Sequence, residues 1–374
     1  MAIEFRESTL PTLGVEWEFA LVDRVTRDLS NSADTLFDRF RDKYGEHPQL
    51  HKELLRNSLE ITTGICANTD EAMRDLRSLL AQVRPIAAEL DVDLYCAGTH
   101  PFAEWSHQLL TPGPRYEELI ERTQWWGRQM LIWGVHVHVG VRRDHVMPIV
   151  SAMLNQFPHL LALSASSPIW AGQDTGYASN RAMMFQQLPT AGLPFQFATW
   201  QDFEHYADDL LTTGVIEELN EIRWDVRPAP NLGTVEIRIC DGVSTWTELR
   251  ALVALTHCLV VHLAERLDAG ETLPTLPPWH VQENKWRAAR YGLDAWIITG
   301  ADSSERLLLD DLEDLLTELR PVARRLDCLD DLELVREIPR RGASYQRQRA
   351  VARDNDNDWV AVVDSVVREL ADEG

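Results

Sequence analysis

Three apolar runs of this chain carry ionisable side chains at every second position. VEWEF (15–19) holds Glu16 and Glu18, VHVHV (135–139) holds His136 and His138, and VEIRI (235–239) holds Glu236 and Arg238. A period of two belongs to β-strands, so each pair faces one way while Val15, Trp17, Val137, Val235 and Ile237 face the other. A fourth run, NSLEITTGI (57–65), adds Glu60, with Glu53 just upstream in HKELLRNSLE. Taken singly, each pattern has a plain reading: E-x-E on a solvated sheet face, H-x-H as satisfied core histidines, E-x-R as a cross-strand ion pair. Taken together they predict one sheet, assembled from distant segments, whose polar face is a shared site. Isolated charges are costly to bury in apolar strands, and clustered carboxylates repel one another; divalent cations among them remove both penalties.

Ligand type narrows the metal. Several glutamates with an imidazole and no thiolate pair suit Mg²⁺, or Mn²⁺, better than structural zinc. More carboxylates than one ion needs imply more than one ion, and clustered Mg²⁺ usually shares its coordination with the phosphates of a nucleotide. No G-x-x-x-x-G-K-[ST] loop and no strand-linked G-x-G-x-x-G occur, so phosphate binding falls to metals and arginines, with Arg238 the first candidate. Arg181, in GYASNRAMMFQ, is placed to clamp a substrate carboxylate or is an ordinary loop arginine. Lys285 and Arg287, in QENKWRAAR, form a phosphate clamp or a solvated helix face. The chain has no G-x-S-x-G elbow, and none of its five cysteines sits where a nucleophile would be activated.

Around these runs the pattern alternates with helices. Residues 68–90 are amphipathic, with Asn68 and Glu71 in an N-cap arrangement; 121–132, 146–166, 247–267, 277–292, 307–326 and 359–370 also read as helical. No internal repeat or linker interrupts the 374 residues, which points to a single α+β domain over 1–374, with about 300–374 as a helical C-terminal appendage. A net charge of -23 argues against bulk attraction to nucleic acid or an anionic membrane. No apolar stretch approaching eighteen residues is evident, and the first residues do not read as a secretory signal. Scattered cysteines fit reduced core thiols in a cytoplasmic protein.

The ordered set GVEWEF, HKELLRNSLEITTG, AGTHPF, GVHVHVG, SNRAMMFQQLPTAG, TVEIRICD and ENKWRAARYG, from about Leu13 to about Gly292, resembles the carboxylate–amine ligase family, the second glutamate–cysteine ligase family. The resemblance implies a glutamine-synthetase-like fold: an antiparallel sheet forming a concave active site, packed with helices. It implies an ATP-dependent reaction in which a carboxylate, the γ-carboxylate of glutamate by default, becomes an acyl phosphate and is attacked by cysteine or another amine. Mapped motif by motif, Glu18, Glu53 and Glu60 resemble the ligands of one Mg²⁺, and Glu16, His136 and Glu236 those of another. Arg238 resembles the arginine at the transferring phosphoryl group, Arg181 one that grips the amino acid, and Lys285 and Arg287 a nucleotide-side motif. His136 is preferred over His138 as ligand because Gly134–Val135 resembles the run before the family's metal histidine; His138 becomes a substrate-facing partner. The resemblance also implies a homodimer. On the residues alone, a metal-dependent hydrolase using His136, His138, Glu236 and Asp241, or a non-catalytic nucleotide- or amino-acid-binding protein, remain as alternatives.

Overall fold

The computed structural model describes residues 2–8 and 11–372. Its strands are β1 (Leu13–Asp23), β2 (Leu50–Lys52), β3 (Ser58–Thr62), β4 (Val92–Tyr95), β5 (Gly134–Gly140), β6 (Ile169–Trp170), β7 (Gln173–Asp174), β8 (Val226–Ala229), β9 (Thr234–Asp241), β10 (Trp296–Ile298) and β11 (Glu305–Leu307). Seven of them form one sheet in the order β2-β3-β1-β5-β9-β8, with β4 also paired to β1. Every pairing in it is antiparallel. β1 is long enough to serve two partners along one edge: β5 pairs with residues 13–17 and β4 with residues 20–23. The expected α+β fold with an antiparallel sheet is present.

Register does what alternation alone could not. Glu16 lies opposite Thr62 on one side and His136 on the other, and Glu18 lies opposite Glu60. His138 faces Glu236 across the β5–β9 pair, and Glu236 faces Arg227 on β8. On the other face Val15, Trp17, Val137, Val235 and Ile237 are fully buried in the main core. Each such side chain contributes roughly 1.5–3 kcal/mol on burial, which holds the strands in this register, since a one-residue slip would exchange the two faces.

Helices cover the apolar face. Thr69–Glu89 starts as expected, with the Asn68 side chain accepting from Glu71 N, and buries Met73, Leu76, Leu80 and Val83. Two long core helices, Val146–Ser164 and Trp246–Asp268, pack on each other. Both regions are apolar enough over eighteen residues to match a membrane span, which the sequence reading overlooked; 83% and 78% of those windows are buried inside the fold. The region 121–132, expected as one helix, is instead split between Pro114–Thr123 and Trp125–Arg128. Gln124 takes a left-handed φ of 50° and ends the first segment, while Pro114 occupies the first helical turn, where its missing N–H costs nothing. The C-terminal helices present buried faces to the rest: Leu308–Arg325 and Leu329–Glu333 pack on Trp246–Asp268, and Trp359–Asp372 packs on β4. All five cysteines are free and buried.

Candidate active site

Glu16 sits at the centre of the polar face. It accepts from both imidazoles, His136 Nδ1 at 2.7 Å and His138 Nε2 at 3.0 Å, each of its oxygens taking one. Beyond His136 Nε2 lies Arg181 Nη2 at 3.4 Å, and beyond His138 Nδ1 lies Thr234 Oγ1 at 3.0 Å. Glu236 accepts from Arg227 Nε at 2.7 Å and from Arg238 Nη1. Glu53, in the loop after β2, completes the group from outside the sheet. Three triads bring ligand atoms within 4.8 Å of one another: Glu18–Glu53–Glu60, Glu16–Glu60–His136 and Glu16–His138–Glu236.

The electrostatics of these groups differ sharply. Burial works against charge on Glu16, yet the His138 and His136 imidazoles hold it well below the usual carboxylate range. Burial likewise opposes the Glu236 charge, and Arg227 and Arg238 override it, keeping that carboxyl low. On the Glu53–Glu60 side the Arg238 charge answers only in part. Burial, then the charges of Glu18 and Glu16, push the Glu53 carboxyl up to about 8. Burial and the charges of Glu16 and Glu53 push Glu60 well up too. Burial and the Arg238 charge depress His136, whereas Glu236 and Glu16 raise His138 against its burial. Half of the cluster is thus internally neutralised and half has surplus negative charge, the condition a divalent cation relieves.

Two adjoining cavities meet at this cluster and share Glu16, His51 and Glu60. One, of about 430 Å³, is lined by Arg115, Arg181, Arg223, Arg227 and Arg238 together with Glu18 and Glu53. The second, of about 670 Å³, reaches His138 and Thr234 and then Arg6 and Asn231. Arg181 is only 3% exposed, and its Nε, like that of Arg238, has no hydrogen-bond partner among the described residues.

The structure therefore brings together Glu16, Glu18, Glu53, Glu60, His136, His138, Arg181, Glu236 and Arg238. It does not bring Lys285 or Arg287 to them. Lys285 Nζ is buried against Asp225 Oδ2 at 2.6 Å, and Arg287 pairs with Glu283 and Glu305. Asp241, considered as a hydrolase ligand, is turned instead into a nest of serines, accepting from Ser167 Oγ at 2.6 Å and Ser179 Oγ at 2.8 Å. Sequence reasoning missed Arg115, Arg223 and above all Arg227. Pro228 disguises β8 as a loop, because proline is tolerated only on an edge strand, which β8 is. The signal available was the D-V-R-P-A alternation of Val226 and Arg227 a few residues before β9.

Solved structures share this fold, an antiparallel sheet backed by helices. The glutamate–cysteine ligase from Francisella tularensis in complex with AMP superposes with a TM-score of 0.69, at 14% identity over 98% of this chain and 90% of that one. A bifunctional glutathione synthetase from Pasteurella multocida gives 0.71 at 15% identity, over 97% of this chain and 52% of that one. These likenesses carry the fold. Sequence carries the family: the glutamate-cysteine ligase family 2 (GCS2) matches residues 12–367. The chain is 67% identical over 369 residues to "Putative glutamate–cysteine ligase 2-1" of Mycobacterium sp. (strain KMS), covering 98% of this chain and 97% of that one. It is 66% identical, with the same coverage, to "Putative glutamate–cysteine ligase 2" of Mycobacterium tuberculosis (strain ATCC 25177 / H37Ra). The chain belongs to glutamate–cysteine ligase family 2.

Proposed function

We propose that this chain is an ATP-dependent carboxylate–amine ligase that forms a γ-glutamyl-type amide through an acyl phosphate, with glutamate as the acid and cysteine or another amine as the acceptor. The observation that carries the reading is the set of interlocking triads on one sheet face, flanked by Arg181 and Arg238. The donor set fits Mg²⁺, with Mn²⁺ as substitute: hard carboxylate oxygens predominate, and Glu53 and Glu60 hold surplus negative charge. Glu18, Glu53 and Glu60 would hold one ion, and Glu16 and Glu236 another together with an imidazole: His136 by the family resemblance, whereas His138 is the one that shares a triad with Glu16 and Glu236. When bound, the ions neutralise and align phosphate oxygens.

In the reaction, a γ-carboxylate oxygen attacks the γ-phosphorus of ATP and ADP leaves. The amine nitrogen then attacks the acyl carbon, loses a proton, and inorganic phosphate departs with the carboxylate oxygen. Such chemistry asks the protein for alignment and charge neutralisation and not for a nucleophile. Arg238 steadies the transferring phosphoryl group, and its pairing with Glu236 pre-sets its direction. Arg181, with an unsatisfied buried donor, grips a substrate carboxylate. Lys285, buried against Asp225, and Arg287, paired with Glu283 and Glu305, lie outside the cluster and carry no step of this reaction.

The test is an ADP-release assay across acids and amines, with product mass measured. Release that requires both partners, stops in EDTA and is abolished in Glu16→Gln and Glu236→Gln supports the reading. Full turnover in EDTA, or stoichiometric zinc with no ATP binding, sinks it.

A further inference from the structure

Asp241 is a carboxylate with no exposed surface at the end of β9, three residues past Arg238. Its carboxylate accepts three hydrogen bonds. Oδ2 accepts from Ser166 N at 3.0 Å and Ser167 Oγ at 2.6 Å, and Oδ1 accepts from Ser179 Oγ at 2.8 Å. The two hydroxyls pass the grip onward. Ser167 Oγ accepts from Arg181 N at 3.1 Å, and Ser179 Oγ accepts from Ala182 N at 3.1 Å as the N-cap of the helix Asn180–Phe185. Asn180 adds backbone and side-chain bonds to Ser167 O at 3.0 and 2.7 Å. The side chain of Arg181 then runs back over the sheet to donate to Arg238 O at 3.2 Å and to meet His136.

Two glycines leave room for this path. A Cβ on Gly98 would lie 2.5 Å from Asp241 Oδ2, and one on Gly134 would lie 2.1 Å from Arg181 Nη2. Burying an ionised carboxylate costs several kcal/mol unless donors and a cation answer it. The serines supply the donors. Burial pushes the Asp241 carboxyl up, and the Arg181 guanidinium opposes that push. An apolar residue could fill the same volume without that cost, so the carboxylate is explained by what it holds.

We propose that Asp241 is a positioning residue: through Ser167 and Ser179 it fixes the start of the short helix that carries Arg181, and so sets the Arg181 guanidinium in the cleft. Its consequence for catalysis rests on the ligase reading above. Asp241 itself touches no reacting atom.

Asp241→Asn keeps the shape but turns one acceptor into a donor facing a hydroxyl, and Ser179→Ala is the milder change. Crystal structures of both are expected to show the Arg181 guanidinium displaced from Gly134 and His136. An unmoved Arg181 overturns the proposal, and if Asp241→Asn does not fold, the Ser179→Ala structure decides. In the ADP-release assay, KM for L-glutamate is expected to rise about tenfold or more with kcat little changed, as lost substrate anchoring requires. Adding Asp241→Asn to Arg181→Lys is expected to cost nothing further, whereas additive losses would mark a general structural role and overturn the assignment. If the wild-type protein releases no ADP with any acid and amine, the ligase reading fails, and the crystal structures still decide what Asp241 does.

Discussion

Replacing Gly134 by alanine is expected to disable the cleft while leaving the fold standing. The added Cβ would lie 2.1 Å from Arg181 Nη2 and 2.6 Å from Cζ. Restoring Nη2 to an ordinary 3.4 Å contact moves it by 3.4 − 2.1, or about 1.3 Å. Arg181 has little slack, being 3% exposed and tied through Nη1 to the Arg238 carbonyl. A misplacement of roughly 1 Å at a substrate-positioning group costs about 100-fold in rate, so kcat/KM for the acid should fall by about that factor. The stability cost of such overpacking is about 1–3 kcal/mol, small enough for the variant to remain folded. The Gly134 N–H still donates to Glu18, so Mn²⁺ affinity should be nearly unchanged. Steady-state ADP release, calorimetric Tm and metal titration read the three quantities separately. A Gly134→Ala protein with wild-type kcat/KM would refute the claim that Arg181 must lie where it does.

Other expectations follow from the buried charges. Because the folded Glu53 carboxyl titrates near 8 and its unfolded counterpart near 4.5, the metal-free folded state holds a proton that the unfolded state has released. Stability in EDTA therefore falls as pH rises through that window, and the Tm advantage of Glu53→Gln over wild type should grow from about pH 5 to pH 8; a shrinking difference contradicts this. His100 behaves oppositely. Its Nε2 donates to Arg27 O at 2.8 Å and its Nδ1 accepts from Ala103 N at 3.0 Å, and burial holds its pKa near 4. Between about pH 6.5 and 4 the unfolded state binds the proton that the folded state refuses, so acidification should cost about 3 kcal/mol, a loss absent in His100→Gln by urea titration. Lys285→Met leaves Asp225 buried and unpaired and should destabilise by about 3–5 kcal/mol, whereas Arg287→Ala, at the surface, should change stability by less than about 1 kcal/mol.

What was legible in the sequence was local. Alternation in 15–19, 135–139 and 235–239 identifies strand and face from the side chains alone, and the structure places all three pairs on one polar face. Their adjacency was not local: Glu16 and His136 meet because β1 and β5 pair across 120 positions, a choice made by the burial of Val15, Trp17 and Val137 on the other face. Arg227 was hidden because its strand contains Pro228 and takes its meaning from Glu236 opposite. The Lys285–Asp225 pair joins residues 60 apart, so the motif at 284–292 showed a basic helix without showing which carboxylate it answered. Asp241 was legible as an acid near the site but not as the anchor of Arg181, because that role depends on serines from a separate segment.

The central claim is that a carboxylate is activated by direct transfer of a phosphoryl group. Turnover of glutamate labelled with oxygen-18 in its γ-carboxylate, with mass analysis of the inorganic phosphate, follows the atom concerned. One labelled oxygen in the phosphate for each amide formed is the predicted result. Unlabelled phosphate accompanying amide formation would contradict the acyl-phosphate route.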